Sequence, residues 1–149
     1  MESKIVSTSP AQTLAIGEKL GRQLKGGEVV AVTGPLGSGK THLIKGIAHG
    51  AAAVDCQRVN SPTFVIINEY TGTGPLTVYH VDAYRLGSLE QFEMLGFDDL
   101  LSPDSVVLIE WADKVADVLH DVNRIDIELR HAGRTKRIIT VVAPPDIAL

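Results

Sequence analysis

Gly34-Pro35-Leu36-Gly37-Ser38-Gly39-Lys40-Thr41 matches the pattern G-x-x-x-x-G-K-[ST] at every fixed position. Residue types in this order suit phosphate. Glycines reach backbone angles that other residues resist, so consecutive N–H groups can turn inward and form a positive concavity. The N-terminus of a following helix adds to that field. Lys40 is placed to reach the β- and γ-phosphates of a nucleoside triphosphate, and the Thr41 hydroxyl to ligate Mg²⁺. The expected nucleotide contacts here are Gly34, Leu36, Gly37, Ser38, Gly39, Lys40, Thr41 and His42.

Magnesium in such a site calls for a carboxylate at the end of a neighbouring strand. Two positions compete. Val106-Val107-Leu108-Ile109-Glu110 is an apolar run ending in an acid, and the more mixed run from Leu76 ends in Asp82. One carboxylate would serve the cation, directly or through water, while the other orients an attacking water. The residues alone leave open which does which, or whether one merely caps a loop. Thr63, in Ser61-Pro62-Thr63-Phe64, fits either a segment sensing the γ-phosphate or an ordinary β-turn. His80 reads as a packed or surface histidine, and Trp111, the only tryptophan, as packing.

These residues need a scaffold that brings strand ends to one edge. Val29-Val30-Ala31-Val32 is continuously apolar, as in a strand covered on both faces, which favours a parallel sheet. A helix is expected from about Lys40 to Ala52. Ahead of the loop, Lys4 to Thr8 suits a short strand. Ser9, Pro10 and Gln12 form a helix start, with Leu14, Gly17, Gly21 and Leu24 on one face up to about Lys25. Further strands are expected over Thr63 to Tyr70, Leu76 to Asp82 and Ser105 to Glu110, with a turn at Thr71-Gly72-Thr73-Gly74-Pro75. Ser88 to Leu101 suits a helix interrupted at Gly96. Ile125 to Arg130 and Arg137 to Val142 flank His131-Ala132-Gly133-Arg134 as a hairpin. The fold class is α/β: a mostly parallel sheet flanked by helices, as in P-loop NTPases, with an antiparallel C-terminal hairpin.

A chain of 149 residues suits one domain, here residues 1–149. Hydrophobic residues make up 44% and charged residues 21%, which argues against disorder. Apolar runs stop short of membrane-spanning length, and the N-terminus lacks an apolar signal-peptide core. With Cys56 alone, neither a disulfide nor a cysteine-based zinc site can form within the chain. A cytoplasmic protein is expected. The net charge of −4 argues against gripping nucleic acid by general electrostatics, and 5% aromatic content against base-stacking platforms. A local basic cluster remains at Arg130, His131, Arg134, Lys136 and Arg137, either facing a nucleic acid or a partner, or forming a solvated hairpin with one residue at the nucleotide.

Asn123-Arg124-Ile125-Asp126 superficially suits guanine reading, but it precedes a strand, has Arg for Lys, and no D-x-x-G element accompanies it. ATP is therefore the expected nucleotide, with Asn123 and Asp126 structural. A small-molecule kinase would need a lid and acceptor pocket for which the chain has little room. A nucleotide-dependent binding module is the other alternative.

The loop, Ser61-Pro62-Thr63-Phe64, Tyr79-His80-Val81-Asp82-Ala83-Tyr84-Arg85-Leu86, Leu95-Gly96 and Ile109-Glu110-Trp111 together resemble the TsaE family in order and spacing. The resemblance extends from the Thr13 region to Gly133-Arg134. It implies an ATPase that acts with TsaB and TsaD in threonylcarbamoyladenosine synthesis, on a tRNA adenosine next to the anticodon. It further implies that Thr41 and Glu110 bind Mg²⁺, that Asp82 is an acid important for activity, that Arg134 lies near the nucleotide, and that Thr13 lies by the adenine. Two positions depart from the family pattern: Pro35, where Asp is frequent, and Ala112, where Pro is frequent.

Overall fold

The structure, a computed structural model, describes residues 1–52, 67–85, 89–94 and 96–149. One seven-stranded sheet runs through them, in the order β1-β7-β6-β2-β5-β4-β3. Its strands are β1 (Glu2–Ser7), β2 (Val29–Thr33), β3 (Ile67–Tyr70), β4 (Thr77–Asp82), β5 (Ser105–Glu110), β6 (Ile125–His131) and β7 (Arg137–Val142). The four central strands, β6, β2, β5 and β4, are mutually parallel. The expected antiparallel margin is present, and β1 extends it by pairing with β7. A second antiparallel margin, β3 against β4, lies at the opposite edge.

Burial follows the apolar patterning. Every residue of β5 is buried, as are the first four of β2. Alternate residues face opposite layers. Val30, Val32, Val78, Val106 and Leu108 pack with the helices α1 (Pro10–Gly21) and α2 (Lys40–Ala52). Val29, Ala31, Val81, Val107 and Ile109 pack with Phe97, Val115 and Leu119 on the other face. Asp82 and Glu110 share the parity of Val78 and Leu108, so both carboxylates emerge on the α2 side.

Helix α1 begins as its sequence dictates. Ser9 Oγ accepts from Gln12 N at 3.1 Å, and Pro10 takes the first helical position. Gln12 Oε1 reaches back to Thr8 N, one residue ahead of the cap itself. The helix ends at Gly21, earlier than expected, and tighter turns through Gln23 and Leu24 complete the segment. The helix expected over 88–101 is described as two short pieces, α3 (Leu89–Met94) and α4 (Phe97–Leu100), parted near Gly96. A 3-10 turn, Ala112–Val115, and α5 (Ala116–Leu119) occupy a segment for which no element was expected. Of the expected strand Thr63 to Tyr70, only Ile67–Tyr70 lies within the described residues; Ser61-Pro62-Thr63-Phe64 lies outside them. No helix of the described residues is long and apolar enough to cross a membrane.

Helices α1 and α2 approach backbone to backbone. A Cβ placed on Gly46 would lie 2.1 Å from the Leu14 carbonyl oxygen, and one on Gly17 would lie 2.4 Å from the Leu43 oxygen. In an isolated helix Gly→Ala gains up to about 1 kcal/mol. Here the overpacking cost of about 1–3 kcal/mol or more falls on rigid backbone and outweighs that gain. Gly46→Ala is expected to lower Tm by on the order of 5 °C. A thermal melt checks this; an unchanged or raised Tm would show that the helices separate at no cost.

Candidate functional site

The parallel strands β2, β4 and β5 end along one edge of the sheet. Asp82 and Glu110 are direct register partners on β4 and β5, and Val32 of β2 pairs with Glu110 from the other side. Gly34 to Gly39 leave the end of β2 and feed α2, so the loop arches over that same edge. Gly37 and Gly39 take φ values of 76° and 100°, in the left-handed region that favours glycine. Leu43 N bonds to Gly39 O, the first link of the helix that follows.

Two clefts flank the loop. One, of about 260 Å³, is lined by Leu36, Gly37, Gly39, Lys40, Thr41, His42, Glu110 and Trp111. The other, of about 230 Å³, is lined by Ser9, Pro10, Thr13, Gly37, Ser38, Gly39, His42, Arg134, Thr135 and Arg137. Gly37, Gly39 and His42 belong to both. One ligand could thus place an acidic end beside Lys40 and a flat, weakly polar end beside Thr13. A smaller surface hollow, of about 150 Å³, at the start of β2 and β6 lies at the opposite edge of the sheet.

Lys40 is nearly buried yet is held by its own loop. Its Nζ donates to Gly34 O at 2.6 Å and Pro35 O at 2.9 Å, and lies 3.9 Å from the centre of the Trp111 ring. Burial pushes its pKa below the ordinary lysine value, against the opposing pull of Glu110, Asp113 and Asp82. Trp111 is the one non-glycine residue with positive φ among those described, at 60°. That turn, costly for an aromatic residue, swings the ring out of β5 and under Lys40. Tyr84 also packs on Trp111, with ring centres 4.9 Å apart. Neither Trp111's contact with Lys40 nor the proximity of Asp113 has a sequence signal beyond position just after Glu110.

The base-sized cleft is similarly built. Ser7 Oγ lies 2.7 Å from Thr13 Oγ1 and donates to Ser9 O. The Thr13 hydroxyl is therefore engaged inward, and its methyl lies toward Gly39. Across the cleft, Arg137 reaches the Gly37 carbonyl at 3.4 Å, so the hairpin contributes Arg137 as well as Arg134. Asn123 and Asp126 sit at the start of β6, at the far edge of the sheet, and Arg124 Nε pairs with Asp126 at 2.8 Å.

The structure thus gathers Thr13, Gly34, Leu36, Gly37, Ser38, Gly39, Lys40, Thr41, His42, Glu110 and Arg134 around the loop, with Asp82 beside Glu110. Thr63 lies outside the described residues. Buried polar atoms test whether a magnesium–nucleotide fits. Ser38 Oγ and Glu110 Oε1 are buried without a hydrogen-bond partner in the protein. The described residues hold no group of three or more His, Cys, Asp or Glu suited to a metal. Magnesium does not need such a cage, since it takes one or two protein oxygens and completes its shell from phosphate and water. Thr41 and Glu110 on one cleft fit that demand.

The sequence profile described as threonylcarbamoyl adenosine biosynthesis protein TsaE matches residues 7–139. The tRNA threonylcarbamoyladenosine biosynthesis protein TsaE of Treponema pallidum is 38% identical over 138 residues, covering 93% of this chain and 98% of that protein. That of Bacillus subtilis is 38% identical over 137 residues, covering 92% and 83%. The crystal structure of Bacillus subtilis YdiB superposes with a TM-score of 0.74 at 32% identity, covering 96% of this chain and 86% of that one. A loop, a pair of strand-end acids and an extent of similarity that spans nearly the whole sheet lead to one assignment: the chain belongs to the TsaE family.

Proposed function

We propose that this protein is a Mg²⁺-dependent ATPase of tRNA threonylcarbamoyladenosine synthesis, acting in the cytoplasm with TsaB and TsaD. The observation that supports it most is the convergence of Lys40, Thr41 and Glu110 on one cleft, joined across Gly37 and Gly39 to a second cleft beside Thr13. Lys40 would exchange the Gly34 and Pro35 carbonyls for the β- and γ-phosphates. Thr41 and Glu110 would hold Mg²⁺, which neutralises phosphate charge when bound. Asp82 would orient the attacking water; its Oδ1 accepts from Tyr84 N at 3.0 Å, which fixes the carboxylate's direction.

In its self-held state the lysine is engaged by carbonyls and an aromatic face. Releasing it costs binding energy, which suits a weak intrinsic rate that partners raise. Single-turnover phosphate release from Mg²⁺-ATP, with and without TsaB and TsaD, tests this. Stimulation by the partners is expected. Binding without phosphate release under either condition would leave a nucleotide-dependent binding module, and a phosphorylated small molecule would indicate a kinase.

Trp111 offers a direct readout. Its ring carries the Lys40 ammonium at 3.9 Å, so moving Lys40 onto phosphate changes the indole's surroundings. Titration with ATP is expected to shift or quench its emission in a saturable way. Lys40→Met should emit differently without nucleotide and respond weakly to it. Emission indifferent to both ATP and the substitution would remove Lys40–Trp111 contact from the account.

A further inference from the structure

His80 is 1% exposed, on β4 two residues before Asp82. Neither of its ring nitrogens has a hydrogen-bond partner. Nε2 lies 3.4 Å from Glu110 Oε1, itself buried and without a partner. Among the described residues, four buried side-chain polar atoms lack a partner, and three of them belong to this one pair. The register explains the meeting. His80 lies opposite Leu108 and Asp82 opposite Glu110, so His80 and Glu110 are diagonal neighbours on the same sheet face. Val78, Val106 and Leu108 surround that stretch of the face with apolar side chains. A leucine would suit it without stranding two polar nitrogens.

We propose that His80 is the positioning residue of Glu110. A proton on Nε2 makes that nitrogen a donor to the carboxylate oxygen beside it. The two atoms are already 3.4 Å apart, and a small turn of the ring or the carboxylate aligns them as a hydrogen bond, which fixes the carboxylate's rotation and leaves its second oxygen for the cleft. Such outer partners orient metal-binding side chains, and their loss typically lowers metal affinity roughly 10–100-fold. The inference rests on the reading of Glu110 as a Mg²⁺ ligand, but the tautomer it requires belongs to the protein without nucleotide.

Two measurements test it. In the nucleotide-free protein, long-range ¹H–¹⁵N spectra of the His80 ring are expected to show a proton on Nε2, a preference lost in Glu110→Ala. In the presence of ADP, the MgCl₂ concentration that half-saturates the Trp111 fluorescence change is expected to rise roughly 10–100-fold in His80→Leu. His80→Gln, which keeps an N–H donor at similar reach, should restore it to within a few-fold, and ADP binding in EDTA should be equal in all three proteins. An Nδ1–H tautomer, or a folded His80→Leu protein with the parent's magnesium dependence, would overturn the proposal. If His80→Leu does not fold, the tautomer and the His80→Gln protein decide it. Failure of the unmodified protein to bind ADP would instead strike the nucleotide reading, with the tautomer still testing His80.

Discussion

Lys40→Ala is expected to weaken ATP binding by tens of fold and to abolish tRNA modification in a reconstituted system. A charge-assisted hydrogen bond contributes about 1.5–3 kcal/mol, and each 1.4 kcal/mol is about tenfold in affinity. Two phosphate contacts would exceed that range, but the lysine is not idle beforehand. Its Nζ already has the Gly34 and Pro35 carbonyls and the Trp111 face. The ring contact alone is worth about 0.5–2 kcal/mol. The net loss therefore falls toward the lower figure, and alanine also leaves two carbonyls without their donor. Calorimetric titration of ATP measures it. Unchanged affinity would sink the assignment of the loop, since no other lysine among the described residues lines that cleft.

This self-held lysine was not legible in the sequence, although the loop was. The motif names which residues face phosphate, and continuous apolar runs at Val29-Val30-Ala31-Val32 and Val106-Val107-Leu108-Ile109 announce covered parallel strands. Their limits followed closely, because turn residues and acids punctuate them. What the sequence withholds is register. A slip of one residue between β4 and β5 would send Glu110 and Asp82 to opposite faces, and nothing local forbids it. His80 shows the same limit. Its type and its neighbours suit either surface or core, and only the pairing of Asp82 with Glu110 sets it against a carboxylate. Trp111 is harder still, because a left-handed tryptophan contradicts local preference and is set by packing on Lys40 and Tyr84. The helical spacing of buried Ala112, Val115 and Leu119 did carry a signal, although the expectations named no element there. The edge strand β3 could not be ordered from its sequence, since its partner choice depends on which edge of the sheet remains open.

The adjacency of Asp82 and Glu110 also turns the sequence's open question into a measurable one. Both carboxylates are nearly buried, share a sheet face and lie on paired strands. They differ in their company. Glu110 lines the cleft with Thr41 and Lys40, whereas Asp82 is anchored by Tyr84 N. A cation ligand belongs beside Thr41, and a water-orienting base needs a fixed direction more than a wide opening. Glu110→Gln keeps the shape and removes the charge, so it is expected to raise the Mg²⁺ requirement and to slow hydrolysis by on the order of 10²-fold, with ADP binding in EDTA nearly unchanged. Asp82→Asn is expected to keep the magnesium dependence while slowing single-turnover hydrolysis by about 10²–10⁴-fold. Magnesium titrations of both variants, read by Trp111 emission and by phosphate release, separate the roles. A raised magnesium requirement in Asp82→Asn and a normal one in Glu110→Gln would exchange the two assignments. Full hydrolysis in both would remove the two carboxylates from the chemistry.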